Sequence, residues 1–238
     1  MPINRGTEAD LKTRKKRKFK KRYWLLIDLA VAIVIFALLL CRPGRYKPPE
    51  YTDDKLVSPY LTNILGPAIH NGAQREEPFD LVVTQKGINE IIAWSKWPKE
   101  SEGVRFSAPV VFFAPDRIEL MGTANMKGVD LVITVVGEPR LKEEGLLNLH
   151  VAKVKIGAMN ITPLARMIAK RMYAQRLATM PIDTEDLGAK IAGSLLNDEP
   201  FEPVFDIADI FESENKKLRI EKITITQEKL ILRLVPAL

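Results

Sequence analysis

The chain has 238 residues, 28% of them charged, a formal net charge of +6, two histidines and one cysteine. A single cysteine excludes an intramolecular disulfide framework, so a folded domain here must be held by a packed core. The positive charge belongs to one segment: ten of residues 1–22 are Lys or Arg against Glu8 and Asp10, while residues 42–238 carry 26 basic and 27 acidic side chains, which excludes a broad nucleic-acid-binding surface.

The first element is a candidate membrane span. Residues 23–41 form an apolar run broken by one charge, Asp28. As a helix at about 1.5 Å per residue the run reaches roughly 28 Å, close to the ~30 Å hydrocarbon thickness of a bilayer. Lys15, Lys16, Arg17, Lys18, Lys20, Lys21 and Arg22 lie just before it. Cationic flanks stay on the cytoplasmic side, and each gains about 1 kcal/mol beside an anionic leaflet. The expectation is a cell-membrane protein with one span, a cytoplasmic basic tail at 1–22 and an extracytoplasmic remainder. The apolar core is longer than the roughly 7–15 residues of a cleavable signal. It ends Leu38-Leu39-Leu40-Cys41, with no small residue before the cysteine, so a retained signal anchor is expected over cleavage or lipidation of Cys41. Asp28 lies near the basic edge, where a carboxylate reaches the interface or protonates at modest cost; the functional alternative is proton relay or helix pairing.

Residues 42–55 are rich in Pro and charge and read as a stiff, extended linker to an extracytoplasmic domain at 56–238. A first helix is expected over 56–69, limited by Gly66-Pro67 and closed at 70–72. A strand follows at 79–83. Thr84 then caps a helix over 84–97, whose Ile88, Ile91 and Ile92 share one face. Strands at 104–114, 117–125, 128–136 and 145–156 are joined by short polar turns, as in an antiparallel meander. In the last of them the apolar alternation slips near Lys153, which calls for a bulge or bend. Thr162-Pro163 supplies an N-cap and an N1 proline to a helix ended by Met180-Pro181. A weaker helix is expected from 183 to 196, a short segment at 206–211, and a closing hairpin of strands 218–226 and 229–235 turning at Gln227-Glu228. The fold class is α+β.

Residues that carry chemistry are sparse. His70 falls in an expected loop and His150 in mid-strand, neither with a Cys, Asp or Glu at metal-ligand spacing. Nucleophile, zinc-protease, phosphate-loop and Cys-x-x-Cys motifs are missing from the sequence. The paired carboxylates Asp53-Asp54, Glu76-Glu77, Glu143-Glu144 and Glu185-Asp186 fall in expected loops or helix starts, where they cap or solvate. A non-enzymatic protein without cofactor or metal is expected. The remaining signals are apolar. Trp94 and Trp97 lie outside the isoleucine stripe; such residues usually cover the end of a core, and beside a membrane anchor they can also sit at the lipid interface. Leu164, Met167, Ile168 and Met172 form a second stripe, suited to an ordinary helix–sheet core or to an apolar ligand groove.

The order of elements resembles a known family. FDLVVTQKGINEIIA reads as strand, cap and helix, and RIELMGTANMKGVDLVITVVGEPRL as paired strands with a Glu-Pro turn. GLLNLHVAKVKIGAMNITPLARMI reads as a strand leading to a Pro-started helix, and LRIEKITITQEKLILRLVP as a closing hairpin. This pattern resembles the YpmS-like bacterial membrane-anchored ectodomains and, more broadly, half-units of the tubular lipid-binding superfamily, over about two-thirds of the chain. The basic tail and the insertion at 181–213 depart from it. The resemblance implies an antiparallel, curved sheet packed on long helices, with an apolar groove for acyl chains in the cell envelope. Two functions follow as expectations: a carrier of lipid or another apolar ligand, or an assembly protein whose ectodomain docks on a protein partner.

Overall fold

A computed structural model describes residues 7–48, 57–75, 77–94, 97–101, 103–141, 147–179, 194–195, 200 and 218–236. The first helix, α1 (Thr7–Leu40), joins the basic tail to the apolar run without a break. Neither Gly nor Pro interrupts it, and it ends just ahead of Arg42-Pro43-Gly44, where Pro43 disfavours helical backbone in the residue before it. Its stretch Tyr23–Leu40 is long and apolar enough to cross a membrane, and none of it is buried against the rest of the protein.

Pro59 opens the next helical segment, which passes through a π turn at Leu61–Leu65 into α2 (Gly66–Ala73). Gly66-Pro67 does not limit this helix as expected. Pro67 has no N–H to give, and the widened turn absorbs the defect, with the Gly66 N–H donating to the Leu61 carbonyl five residues back. Strand β1 (Phe79–Thr84) leads into α3 (Gln85–Ala93), and the Thr84 hydroxyl accepts from the Gly87 N–H at 3.1 Å, the expected cap. α3 stops short of the expected residue 97. Pro98 disfavours helix at Trp97, whose indole N–H donates to the Ile92 carbonyl at 3.1 Å and so satisfies a group of the last turn.

The closing hairpin forms as expected, from β9 (Leu218–Thr226) and β10 (Lys229–Pro236), with Glu228 at φ 65° in its turn. It pairs with β1, giving a three-stranded antiparallel sheet in the order β1-β10-β9. Leu81, Val83, Ile220, Leu232 and Leu234 form its buried core, covered by Leu65 and Ile69 of the first helical segment and Ile88 of α3.

The second sheet holds β2 (Lys99–Ser101), β3 (Val104–Phe106), β4 (Val110–Ala114), β5 (Arg117–Met126), β6 (Val129–Leu141), β7 (Leu147–Ile156) and β8 (Met159–Asn160). Its order is β2-β3-β5-β6-β7-β8, with β4 also on β5. The strand expected over 104–114 is two strands, because Pro109 cannot donate to the ladder; both pieces pair with β5. The expected irregularity near Lys153 is present: Val136 pairs with Lys153 and Gly137 with Val151, leaving Ala152 as the extra residue. The outer edge of β4 is satisfied by α3 side chains. Asn89 Oδ1 accepts from Val111 N (2.7 Å) while Asn89 Nδ2 donates to Val111 O (2.8 Å), and Gln85 Oε1 accepts from Phe113 N (2.8 Å).

The expectation of a curved sheet packed on long helices is corrected. The larger sheet is not curled, and the helix lying on β4 and β1 is the nine-residue α3. The longer α4 (Thr162–Thr179) meets β7 through its first turns, where Ala165 packs with Val151, Val154 and Leu195. The physical reason lies in the polar start of α4. The Thr162 hydroxyl accepts from the Val154 N–H (2.9 Å) and donates to Asn160 Oδ1 (2.6 Å), so it ties the helix start to the sheet edge. The expected helix at 183–196, apart from 194–195, and the segment at 206–211 lie outside the described residues.

Candidate membrane-proximal site

The last four carbonyls of any helix have no partner within it. At the end of α1 one of them finds its partner in the larger sheet: the Ala158 N–H, in the turn between β7 and β8, donates to the Leu38 carbonyl at 2.9 Å. The same carbonyl accepts from Cys41 N at 3.4 Å. Gly157 makes this approach possible. It sits at φ +57°, its N–H donates to Val132 O at 2.8 Å, and a Cβ there would lie 2.4 Å from the carbonyl oxygens of Leu38 and Leu39. Helix end and strand turn therefore meet backbone to backbone.

The chain then folds back over the sheet. Tyr46 N donates to Pro43 O at 3.0 Å, closing a turn, and the Arg42 guanidinium stacks 5.4 Å from the Tyr46 ring centre. Tyr46 is 2% exposed, packed with Val110, Met121 and Val132, and its hydroxyl lies 2.9 Å from Thr123 Oγ1. Beside it Arg45 pairs with Glu119 and stacks on Phe112, while Arg117 Nε donates to Glu119 Oε1 at 3.1 Å. Glu119 is buried between two half-exposed guanidiniums, an arrangement that offsets the cost of burying a carboxylate. Of the expected linker, residues 42–48 thus lie against the sheet, and 49–55 lie outside the described residues.

The residues singled out in the sequence fall elsewhere. Leu164, Met167 and Ile168 sit on the first turns of α4 and are 48%, 62% and 45% exposed; the Met172 side chain lies outside the described residues. The three share one arc of the helix, about a quarter turn from the Ala165 face that packs on β7. Trp94 and Trp97 are half-buried at the end of α3, and Lys99 Nζ lies 4.9 Å from the Trp97 ring centre. Lys15, Lys16, Arg17, Lys18, Lys20, Lys21 and Arg22 are on the first half of α1. His70 Nε2 lies 2.8 Å from the Gln74 amide on an exposed helix face, and His150 is buried in β7. Among the described residues, nowhere do three or more His, Cys, Asp or Glu side chains gather as a metal site would require.

Sequence reasoning passed over Tyr46, Gly157 and Glu119. The one usable signal was a tyrosine among prolines and charges, a residue that looks exposed until its pocket is known. Compared with known protein families the chain matches none, and no curated protein matches it in sequence.

Proposed function

We propose that the chain is a non-enzymatic, single-pass protein of the cell membrane, with residues 1–22 in the cytoplasm and the α+β domain outside, where it binds lipid or another apolar ligand. The observation that carries this reading is the state of α1: an apolar helix without protein cover, whose far end is received by the larger sheet through Ala158 and Gly157. The resemblance to YpmS-like ectodomains belongs to the same proposal. The α4 stripe supplies apolar surface, since Leu164, Met167 and Ile168 face solvent. That exposure also favours the second reading, an envelope assembly protein that docks its ectodomain on a protein partner.

Topology is tested through the lone cysteine. Cys41 is exposed at the end of α1, so a membrane-impermeant maleimide is expected to label it in intact cells; labelling only after permeabilisation would invert the orientation. Ligand binding is tested by native mass spectrometry of the full-length protein released from nanodiscs. A bound lipid is expected on the wild-type chain and its loss on Met167→Asn/Ile168→Gln, a pair of exposed positions at which the fold has little to lose. Equal lipid content in the two proteins would remove these residues from the site, and a bare protein that crosslinks to another in cells would favour the docking reading.

A further inference from the structure

Strand β7 carries one polar side chain that the fold leaves unsatisfied. Asn148 is 1% exposed, and neither its Oδ1 nor its Nδ2 has a hydrogen-bond partner. Buried carboxamides are nearly always hydrogen-bonded, because removing one from water without a partner is costly. Asn89 on α3 shows what such a side chain does elsewhere in this protein. It spends both atoms on one residue, Val111, whose N–H and C=O point to the same side of an extended strand.

The register identifies the neighbours of Asn148. It is opposed to Arg140, and two residues on His150 is opposed to Glu138, so the four share one face of the larger sheet. Glu138 alternates with Val136, which is opposed to Glu119, so this is the face on which residues 42–48 lie. Leu147 packs with the smaller sheet and Val151 with Ala165 of α4, both from the other face, so the α4 stripe is a separate surface. The Arg140 side chain is 53% exposed and meets Glu138 only loosely, at 3.8 Å from Nη2 to Oε2. A guanidinium offers five N–H donors in a planar fork, so most of it is left for a carboxylate. Lys153, opposed to Val136, is exposed on the same face, and with Arg140 it outweighs Glu138 in charge. Opposed side chains start about 5 Å apart. A buried amide that can donate and accept is therefore next to an exposed cation.

We infer that Asn148 and Arg140 form a binding site for the free C-terminus of an extended peptide, a function beyond the apolar-ligand reading and independent of it. The penultimate residue of the peptide donates its N–H to Asn148 Oδ1 and accepts from Nδ2 at its carbonyl, as Val111 does with Asn89. The terminal carboxylate follows one residue on, about 3.5 Å further along the chain, and lies in the Arg140 fork.

The test is calorimetric titration of the full chain in nanodiscs with acetyl-Ala-Ala, which has one internal residue and a free carboxylate, and with its C-terminal amide. The carboxylate peptide is expected to bind, and the amide peptide to bind about tenfold more weakly. Asn148→Leu and Arg140→Gln are each expected to weaken the carboxylate peptide by a similar factor. Absence of binding at millimolar acetyl-Ala-Ala overturns the inference. Equal binding of the two peptides, or undiminished binding to either variant, does so as well. Melting curves without peptide separate binding from folding. Arg140→Gln, at an exposed position, is expected to melt with the parent. Asn148→Leu exchanges an unpaired amide for an apolar group of similar size, so it is expected to melt a few degrees above the parent. A lower melting temperature would show that the amide is already hydrogen-bonded in the free protein, and that too overturns the inference.

Discussion

Gly157→Val is expected to open the joint between α1 and the larger sheet while leaving both intact. The left-handed backbone at φ +57° costs an L-residue about 1–2 kcal/mol, more for a β-branched one. The added Cβ would sit 2.4 Å from two carbonyl oxygens of α1, so relief requires separating the turn from the helix, with loss of the Ala158–Leu38 hydrogen bond, about another 1 kcal/mol. Hydrogen exchange of the full-length protein in nanodiscs reads this directly, as faster exchange at the Ala158 amide with the β5–β6 amides unchanged. A pair of asparagine variants separates strain from contact, because asparagine tolerates the left-handed region. Gly128→Asn, at φ +84° with open space around it, is expected to be nearly neutral, and Gly157→Asn to open the joint. Equal exchange in the two variants would mean that contact with α1 does not hold the turn.

Tyr46→Ala is expected to be the most destabilising single change in residues 42–48. It empties a pocket formed by Val110, Met121 and Val132 and leaves the Thr123 hydroxyl without its partner. Truncating a buried aromatic side chain costs about 3–5 kcal/mol, which for a domain of this size lowers Tm by roughly 10 °C. Tyr46→Phe keeps the ring and loses one buried hydrogen bond, about 1–2 kcal/mol. Melting curves of the two variants in one detergent should therefore fall in the order wild type, Phe, Ala. Should Tyr46→Ala melt with the wild type, residues 42–48 would be a tether laid on the domain and no part of its core.

Local signals were legible wherever one residue's chemistry decides the backbone. Thr84 capped its helix, the alternation around Lys153 marked an extra residue in β7, and the closing hairpin turned where Gln227-Glu228 put it. Expectations failed where a local rule met a tertiary partner. Gly66-Pro67 reads as limiting a helix that closes at 70–72, yet with Leu65 and Ile69 packed on the smaller sheet the helix passes through a π turn and runs to Ala73. The α4 stripe reads as core or as a ligand groove, but among the described side chains of the helix it is Ala165 that packs against Val151 and Val154 of β7, being small enough for close approach. A helical wheel records which residues share a face and is silent on which face is covered.

What the sequence by itself determined is the membrane-length helix with its cationic flank, the α+β class and most strand boundaries. These depend on the composition and periodicity of contiguous residues, and contiguous residues are what a sequence displays. Only the tertiary structure decided that β1 joins a hairpin more than a hundred residues away, that Tyr46 is a core residue, and that the end of α1 is received by Gly157 and Ala158. Each of these is a pairing between distant segments with no recognition motif of its own. Backbone hydrogen bonds are the same for every sequence, and apolar burial is indifferent to partner identity, so such contacts are specified by the shape of the assembled chain.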